Sequence, residues 1–404
     1  MKIRTGNIFR LVLAVCFMIS ATAVSNPVGD VFQISGSLKF SDLMFLVLAL
    51  GLFFSTKYIS HIRLVVKTSP VTMALVFLYG SFMVISMLAN LGFLAERMFA
   101  HFLRIFYYIL MIFTISYISL YYMKATHILF AMYIGVVIMC SSILYMMFFL
   151  DMGLMYGDNT RKLDSVLGAN PVANYAAIFF PVGLFLFTQV RGIFSKIVVF
   201  MSFAMLVIAA LLAQSKASWL AMLASLLIFF IFLDRRGKIM AIVISSLIGL
   251  AVFKPIYFII EREITGTGNN SQERYDFILQ ALAYFAENPF FGIGSSNYVI
   301  VSPLGHDPHN AYALILAEIG LFGFLCYGFL LLSIFIGLYL RRDDRLNQLL
   351  LMLVASVSIL GLFTGLIASQ LVLFIFIGLY VGKNIQRKLV SESLKVSPIG
   401  GNSF

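Results

Sequence analysis

Two histidines precede a long apolar stretch in the sequence His306, Asp307, Pro308, His309 and Asn310. Pro308 favours a helix start near this point, so His309 is predicted to project from the mouth of a helix. A helix N-terminus carries unpaired N–H groups and favours anions. A neutral imidazole at such a place can take a proton from an attacking hydroxyl. His309 is therefore a candidate general base, and the alternative is a plain surface histidine, which is the preferred interpretation for His306.

Three basic residues in polar stretches are predicted to face the same compartment as His309: Lys216, Arg262 and Arg274. A converging set of guanidinium and ammonium groups suits a diphosphate, because arginine binds phosphate oxygens with a bidentate fork. We count Asn310, next to the histidine, with this diphosphate-binding set. At a membrane surface the natural diphosphate is the head group of a polyprenyl-linked sugar. Snorkelling to lipid head groups is the alternative role for such cations.

The composition places the chain among membrane proteins. Of 404 residues, 61% are hydrophobic and 11% are charged, whereas a soluble domain carries roughly 25% charged residues. The net charge of +11 is explained by Lys and Arg that orient helices and face anionic lipids, and no nucleic acid is expected as a partner. Cys16, Cys140 and Cys326 each lie in an apolar run, so neither a disulfide framework nor a metal cluster is indicated.

A membrane-spanning helix needs about 20 mostly apolar residues. By this criterion the fold class is all-α, a polytopic integral membrane protein with about twelve transmembrane helices and one large extracytoplasmic loop containing short helices. The predicted spans are 8–24, 40–56, 70–90, 98–122, 127–150, 171–190, 194–213, 217–233, 239–258, 310–340, 346–363 and 367–382. The first is taken as an uncleaved span rather than a signal peptide.

The distribution of positive charge orients these spans. With both termini in the cytoplasm, most of the 28 Lys and Arg residues fall on cytoplasmic loops. This predicts four regions: a transmembrane part with about nine spans, a loop outside the cytoplasm with the candidate site, two or three C-terminal spans and a mobile cytoplasmic tail. Their bounds are 1–258, 259–309, 310–382 and 383–404.

Local signals divide the polar loop into a helix and a turn. Ser271 is a candidate cap for a helix that starts near Glu273, and Pro289 ends it. Gly292 and Gly294 follow in a flexible turn, where backbone can approach a ligand closely. At helical spacing, one face of this helix carries Arg274, Phe277, Ile278 and Ala281. Outside the loop, Gln214, Ser215 and Lys216 are predicted to separate two helices, and Glu318, an acid near the hydrocarbon, must have a partner.

At these positions the chain resembles the O-antigen ligase and polymerase superfamily of bacterial inner-membrane proteins. The strongest match is His309 and Asn310 followed by Gly320 and Gly323, a pattern of O-antigen ligases. Two weaker matches are Arg274 ahead of a proline and the paired glycines, and Lys216 where the family has arginine. Lysine keeps the charge but loses the bidentate fork, which puts its role in doubt. The motifs cover roughly residues 210–325.

The resemblance implies an inverting, metal-independent glycosyl transfer on the periplasmic face, without a cofactor. The donor would be a polysaccharide on undecaprenyl diphosphate, and the acceptor lipid A-core, giving lipopolysaccharide. The enzyme would lie in the bacterial inner membrane with both termini in the cytoplasm. His309 and Arg274 would be the catalytic residues, Lys216, Arg262 and Asn310 would help to bind the diphosphate, and the motif glycines would be structural: Gly292, Gly294, Gly320 and Gly323.

Other functions share the same features. A polymerase would join the same donors to each other and needs the same diphosphate site and base. A protein O-oligosaccharyltransferase would use a protein acceptor, but such relatives usually carry a longer C-terminal region outside the cytoplasm. A transporter of lipid-linked sugars would use the cations without chemistry, and it predicts ionisable residues at mid-membrane depth, of which the spans contain few. The oligomeric state is left open by the sequence.

Overall fold

A computed structural model describes residues 5–20, 55–90, 95–149, 169–213, 215–233, 270–295, 297–303, 307–364 and 367–396, together with positions 48, 49, 52, 238 and 305. These residues form helices joined by turns, and no strand occurs among them. The predicted all-α class is confirmed for this part of the chain.

The described helices are named in chain order. They are α1 (Thr5–Ser20), α2 (Thr56–Thr68), α3 (Pro70–Ala89), α4 (Ala95–Tyr121), α5 (Ala125–Phe149), α6 (Ala169–Gln189), α7 (Ile193–Leu212), α8 (Lys216–Phe232), α9 (Asn270–Glu287), α10 (Tyr298–Val301), α11 (Ala311–Tyr339), α12 (Arg345–Leu360) and α13 (Ile367–Val396).

Several helices have the length and surface of membrane spans. In the described part of the chain, five are long and apolar enough to cross a bilayer: Pro70–Ala89, Ala125–Tyr145, Val172–Gln189, Ile193–Leu212 and Ala311–Tyr339. Apolar side chains point outwards along them; Ile193 and Phe194 at the start of α7 are both 77% exposed. Such a surface is stable only in lipid. The protein is thus a helical membrane protein, while the total of about twelve spans stays a prediction, because 239–258 and most of 40–56 lie outside the described residues.

Helix α2 was not predicted. It lies in a stretch that the sequence analysis assigned to a loop, and its buried face carries Tyr58, His61 and Val65. His61 is fully buried, and its Nε2 lies 2.8 Å from Ser116 Oγ on α4. Burial lowers the pKa of His61 to about 4, so the imidazole is neutral at physiological pH. The buried residues of α2 are spaced three and four apart, as is typical of an amphipathic helix, and the helix is too short to be predicted as a membrane span.

The prediction of a mobile tail after Lys383 was wrong for its first part. Helix α13 continues as far as Val396. Lys383 Nζ and Arg387 Nη2 lie 3.0 and 3.1 Å from Asp344 Oδ2, in the turn between α11 and α12. Two cations one helical turn apart on α13 converge on one carboxylate, which anchors the polar end of the helix.

Helix α11 is the element that positions the candidate site. It packs against α3, α9 and α12, while α10 touches it near its middle. Its first residue is tied to the end of α12, because Ala311 N–H donates to the Gly361 carbonyl over 2.7 Å. The side chains of Ala313, Leu314 and Ile315 are buried there. This end of the bundle therefore holds the beginning of α11 in a fixed place.

Candidate functional site

His309 lies two residues ahead of helix α11, which begins at Ala311, within one residue of the predicted span 310–340. Its backbone has φ 47°, a left-handed conformation that histidine adopts more often than most residues. The side chain is 45% exposed. The imidazole is thus partly accessible at the start of the helix.

Asp307 contacts both the backbone and the side chain of His309. Its Oδ1 accepts a hydrogen bond from the His309 backbone N–H at 3.0 Å, and the same oxygen lies 3.4 Å from the imidazole Nδ1. The first contact is an Asx turn, which fixes the loop. The second places a carboxylate beside one ring nitrogen and leaves Nε2 as the nitrogen that can face a substrate. The sequence analysis did not assign Asp307 to the site, although the Asp-Pro-His spacing is a signal for such a turn.

Asn310 has a structural function. It is the N-cap of α11: its Oδ1 accepts hydrogen bonds from the N–H groups of Tyr312 and Ala313 at 3.0 and 2.9 Å. Its Nδ2 donates to the Leu362 carbonyl at 3.1 Å. These bonds satisfy two N–H groups at the helix start and hold it to the chain after α12. The assignment of Asn310 to diphosphate binding stays a prediction, and the side chain has little capacity left for it.

Helix α9, which carries Arg274, packs directly against the histidine segment. The ring of Phe277, one turn after Arg274 on the same helix, meets the His309 ring edge-on, with centroids 6.5 Å apart and planes at 90°. The predicted face of α9 is confirmed: Phe277 and Ala281 are buried, and Arg274 is half-buried beside them. Since residues three apart lie on one face of a helix, Arg274 lies on the same face of α9 as Phe277, the residue that contacts His309.

Polar contacts fix α9 to the segment that follows it. Tyr298 is fully buried, and its hydroxyl donates to the Phe277 carbonyl at 2.9 Å. Gln280 Oε1 accepts from the Ser302 hydroxyl at 3.1 Å, and the Tyr284 hydroxyl donates to the Val301 carbonyl at 2.9 Å. Burial raises the pKa of Tyr298 well above its ordinary value, so this hydroxyl remains a donor at neutral pH. The helix with Arg274 therefore has a defined position relative to α10 and α11.

The motif glycines meet at a break in α11. Gly320 has φ 74° and ψ −171°, which interrupts the helix. Leu321 N–H, which would bond the Ala317 carbonyl in a continuous helix, instead donates to the Pro289 carbonyl at 2.8 Å. The Ala317 carbonyl accepts from Ile293 N–H at 2.9 Å. The backbone of the turn after α9 thus takes the place of hydrogen-bond partners that α11 would otherwise find within itself.

Side chains do not fit in this contact. A Cβ on Gly320 would lie 2.3 Å from the Phe290 carbonyl oxygen. A Cβ on Gly292 would lie 2.4 Å from the carbonyl carbon of Glu318. Gly292 and Gly294 also have positive φ values of 67° and 99°. Because these glycines have no side chains, the backbone of the turn after α9 can touch the backbone of α11.

The carbonyl of Glu318, freed by the break, is satisfied from two directions. Gly294 N–H donates to it at 3.1 Å and the Ser86 hydroxyl on α3 at 2.5 Å. Asn90, at the end of α3, donates to the Gly292 carbonyl at 3.2 Å. No feature of the sequence indicated that α3 takes part in this region. At membrane depth, open backbone is tolerated because neighbouring protein completes its hydrogen bonds.

The carboxylate of Glu318 supports the turn rather than lining an open surface. It is buried, 6% exposed, and its Oε1 accepts the backbone N–H of Tyr298 at 3.2 Å. This N–H belongs to the first turn of α10, where an anion is favoured. The predicted need of Glu318 for a partner is met here. Gly323, one turn below the break, is buried against Ile319, whose Cγ2 would lie 2.2 Å from an added Cβ.

Lys216 opens helix α8, after a turn that separates α7 from α8 as predicted. Its side chain is exposed. Beneath it, the Ser218 hydroxyl lies 3.0 Å from Ser215 Oγ and 3.2 Å from Asn174 Oδ1 on α6, all three residues being buried. Buried polar groups bonded to each other define the start of α8 and therefore the base of the lysine side chain.

The structure connects Lys216 to the site through another helix. Helix α8 packs on α12, where Ser225 Oγ and Ser356 Oγ are 2.5 Å apart, and α12 ends beside the first residue of α11. Helix α9, which carries Arg274, contacts His309 through Phe277, and the motif glycines lie at the break in α11, whereas Lys216 stands on a separate helix. Arg262 and His306 lie outside the described residues.

Comparison with known families supports the resemblance. Residues 200–328 match the family model described as O-antigen ligase, and this segment contains Lys216, Arg274, His309, Gly320 and Gly323. The predicted resemblance to the O-antigen ligase/polymerase superfamily is thereby confirmed for this part of the chain. Comparison with curated proteins gives no match.

The fold is that of a helical membrane protein, and residues 200–328 of it are similar to the O-antigen ligase family. This family indicates a glycosyltransferase-like ligase or polymerase whose substrates are lipid-linked glycans. Ligase and polymerase are not distinguished by the match.

Proposed function

We propose that this protein transfers a polysaccharide from undecaprenyl diphosphate to lipid A-core at the periplasmic face of the bacterial inner membrane. The observation that carries the proposal is the packing of Phe277 against the His309 ring, which puts the helix of Arg274 beside the histidine. A cation for a diphosphate and a base for a hydroxyl are the two groups that this transfer needs. The family match over residues 200–328 supports the substrate class.

In the proposed reaction, an acceptor hydroxyl attacks the anomeric carbon of the donor glycan. The bond between that carbon and the diphosphate oxygen breaks, a glycosidic bond forms with inversion, and undecaprenyl diphosphate leaves with the bonding electrons. His309 takes the hydroxyl proton, and Asp307 orients the imidazole. Arg274, with Lys216 and Arg262, binds the diphosphate and stabilises the charge that develops on it.

Transfer by purified protein tests the proposal. We expect His309→Ala and Arg274→Ala to abolish transfer from lipid-linked glycan to lipid A-core while the variants still express and insert. Removing a general base alone costs about 10²–10⁴-fold in rate. His127→Ala and Arg342→Ala serve as matched controls, because both residues are exposed and lie away from the site. Full activity of either site variant would remove that residue from the mechanism.

The same assay separates ligase from polymerase. A single new product that contains lipid A-core supports the ligase. A ladder of lengthened donor, formed without acceptor, would replace the ligase with a polymerase acting on undecaprenyl-diphosphate-linked repeats. No product from either substrate pair would contradict both enzymes and favour a transporter or a protein acceptor. Activity that survives a chelator is expected, since the proposed site uses cationic side chains.

Lys216 is the departure from the family pattern, and its replacement tests the diphosphate assignment. We expect Lys216→Arg to retain activity, because arginine keeps the charge and adds a bidentate donor. Lys216→Gln is expected to raise the KM for the lipid-linked donor, since it removes the charge. An inactive Lys216→Arg variant with normal expression would show that the lysine geometry itself matters.

A further inference from the structure

An open groove lies at the other end of helix α11, away from His309. It has a volume of about 1190 Å³ and is bounded by the turn between α2 and α3, the end of α11 and the polar part of α13. Helix α11 is 29 residues long, which at 1.5 Å per residue puts the groove roughly 40 Å from the histidine. The groove is therefore separate from the candidate active site.

The lining of this groove carries three basic and two acidic side chains, a small excess of positive charge. Arg341, Arg387 and Lys388 line it together with Asp343 and Asp344. Asp344 is neutralised in place, because Arg387 and Lys383 both bind its Oδ2. Lys388 has no acidic partner within ion-pair distance in the described part of the chain. Arg341 donates to the Asn384 side chain, a neutral acceptor. Lys388 and Arg341 are therefore two cations that can bind an anion in this groove, because neither is paired with a carboxylate among the described residues.

Ser69 gives an independent indication of a ligand. It lines the groove, is only 6% exposed, and its hydroxyl has no hydrogen-bond partner among the residues that the structure describes. It occupies the N-cap position of α3 without capping the helix. The neighbouring Thr68 hydroxyl is also buried without a partner. Buried hydroxyls are nearly always bonded, so two orphans at one wall indicate an acceptor that is supplied from outside the chain.

The start of α3 opens on the same wall. Pro70, Val71 and Thr72 line the groove, and the first turn of this 20-residue helix presents N–H groups without helical acceptors. Such a terminus favours a phosphate. The helix terminus, the orphan hydroxyls and the cations therefore surround one space from three elements.

An apolar stripe leads out of the groove along α11. Ile336 and Leu340, one turn apart, line it and are 48% and 71% exposed, and Val71 opposite them is 64% exposed. Ile336 lies in the apolar span Ala311–Tyr339, Leu340 directly follows it, and Val71 lies in the span Pro70–Ala89. A ligand with a charged head and a hydrocarbon tail matches the two parts of the groove, because the tail can continue along the stripe into the bilayer.

We propose that this groove binds the phosphate group of an anionic phospholipid, held by Lys388, Arg341 and the α3 N-terminus with Ser69, while an acyl chain lies along Ile336 and Leu340. The bound lipid joins α3, α11 and α13, and it fixes the end of the bundle opposite the candidate active site. The proposal concerns binding alone and does not depend on the proposed transfer reaction.

Native mass spectrometry of the full-length protein in detergent tests the site by titration with phosphatidylglycerol or phosphatidylcholine. We expect tighter binding of phosphatidylglycerol and a Kd about fivefold weaker in Lys388→Gln, since one cation near a membrane anion contributes about that factor. Arg342→Gln is the matched control: Arg342 lies in the same turn as Arg341 but stands outside the groove lining, over the Tyr339 ring. Its Kd should stay within about twofold of wild type.

Ser69→Ala provides a second variant that does not remove a charge. It should weaken phosphatidylglycerol binding while the lipid-free protein keeps or gains thermal stability, because an unpartnered buried hydroxyl is removed. Unchanged binding in both Lys388→Gln and Ser69→Ala would overturn the proposal, as would equal binding of phosphatidylcholine or an equal loss in Arg342→Gln. Displacement of the lipid by millimolar inorganic phosphate would show a site for the free anion, and the lipid would then be rejected as the ligand.

Discussion

The two ends of helix α11 are built in different ways. At the end near His309, the helix breaks at Gly320 and its backbone bonds directly to the turn at 289–294. At the far end, side chains make the contacts: Arg341 with Asn384, and Asp344 with Lys383 and Arg387. Backbone contact tolerates almost no added atoms, whereas ion pairs adjust to small shifts. The comparison shows that rigidity is concentrated at the end with the candidate chemistry.

Two glycines of one helix give the largest expected difference. Gly320→Ala should destabilise the protein by about 3 kcal/mol or more, because φ is positive and Cβ would meet the Phe290 carbonyl. Gly328→Ala is the control, since nothing lies within 4 Å of an added Cβ there, and it should stabilise the helix by about 0.5–1 kcal/mol. Thermal unfolding of both variants in detergent measures the difference. Similar melting temperatures would mean that the break at Gly320 is not fixed by its backbone contacts.

Two replacements of Asp307 distinguish its effect on the shape of the turn at His309 from the effect of its charge. Asp307→Asn keeps an acceptor for the His309 N–H but loses the charge beside Nδ1, and we expect transfer to fall about tenfold. Asp307→Ala loses both, so a further loss of about tenfold or more is expected, because the left-handed turn is no longer held. Transfer rates with saturating donor, compared at equal amounts of folded protein, measure this. If the Asn variant were fully active, Asp307 would serve the loop alone.

Asp344, at the opposite end, gives the smallest expected effect. Burial alone would raise its pKa, but the hydrogen bond and charge of Lys383, with Leu346 N–H and Arg387, lower it below the ordinary 3.8. A lowered pKa in the folded state stabilises the protein above the unfolded value, and this contribution is lost only as the pH falls through the folded value. Stability should therefore not change between pH 7 and 5 on account of this group.

Replacement of Asp344 checks the same contact at neutral pH. Since its side chain is 29% exposed, Asp344→Asn should cost no more than about 1 kcal/mol. The melting temperature of the variant in detergent, at low and high salt, measures this effect, which salt should reduce. A loss as large as that of Gly320→Ala would contradict the contrast between the two ends of α11.

Many of the helices could be predicted from the length of their apolar runs and from the residues that interrupt these runs. Predicted spans such as 70–90 and 194–213 agree with Pro70–Ala89 and Ile193–Leu212 within a residue at each end. Burial in lipid forces backbone groups to bond within their own segment, so local sequence is decisive. Helix α2 and the extension of α13 were missed, because their stability depends on contacts with α4 and with Asp344 rather than on apolar runs.

The candidate site was predictable in its residue types but not in its construction. His309, Arg274 and the glycines stand out by chemistry and spacing. Asp307 carried a local turn signal that was not used. The contributions of Ser86 and Asn90 on α3 come from a helix more than 200 residues earlier in the chain, and no local pattern encodes such a distance.

The sequence by itself determined that this is a helical membrane protein whose histidine, cations and paired glycines resemble the O-antigen ligase pattern. Composition and motif spacing are local properties, and they can be read without coordinates. Only the tertiary structure decided that Gly320 breaks α11, that the turn after α9 fills the break and that Phe277 brings the helix of Arg274 against His309. These features depend on which backbone groups are left without local partners, and folding satisfies them from distant segments.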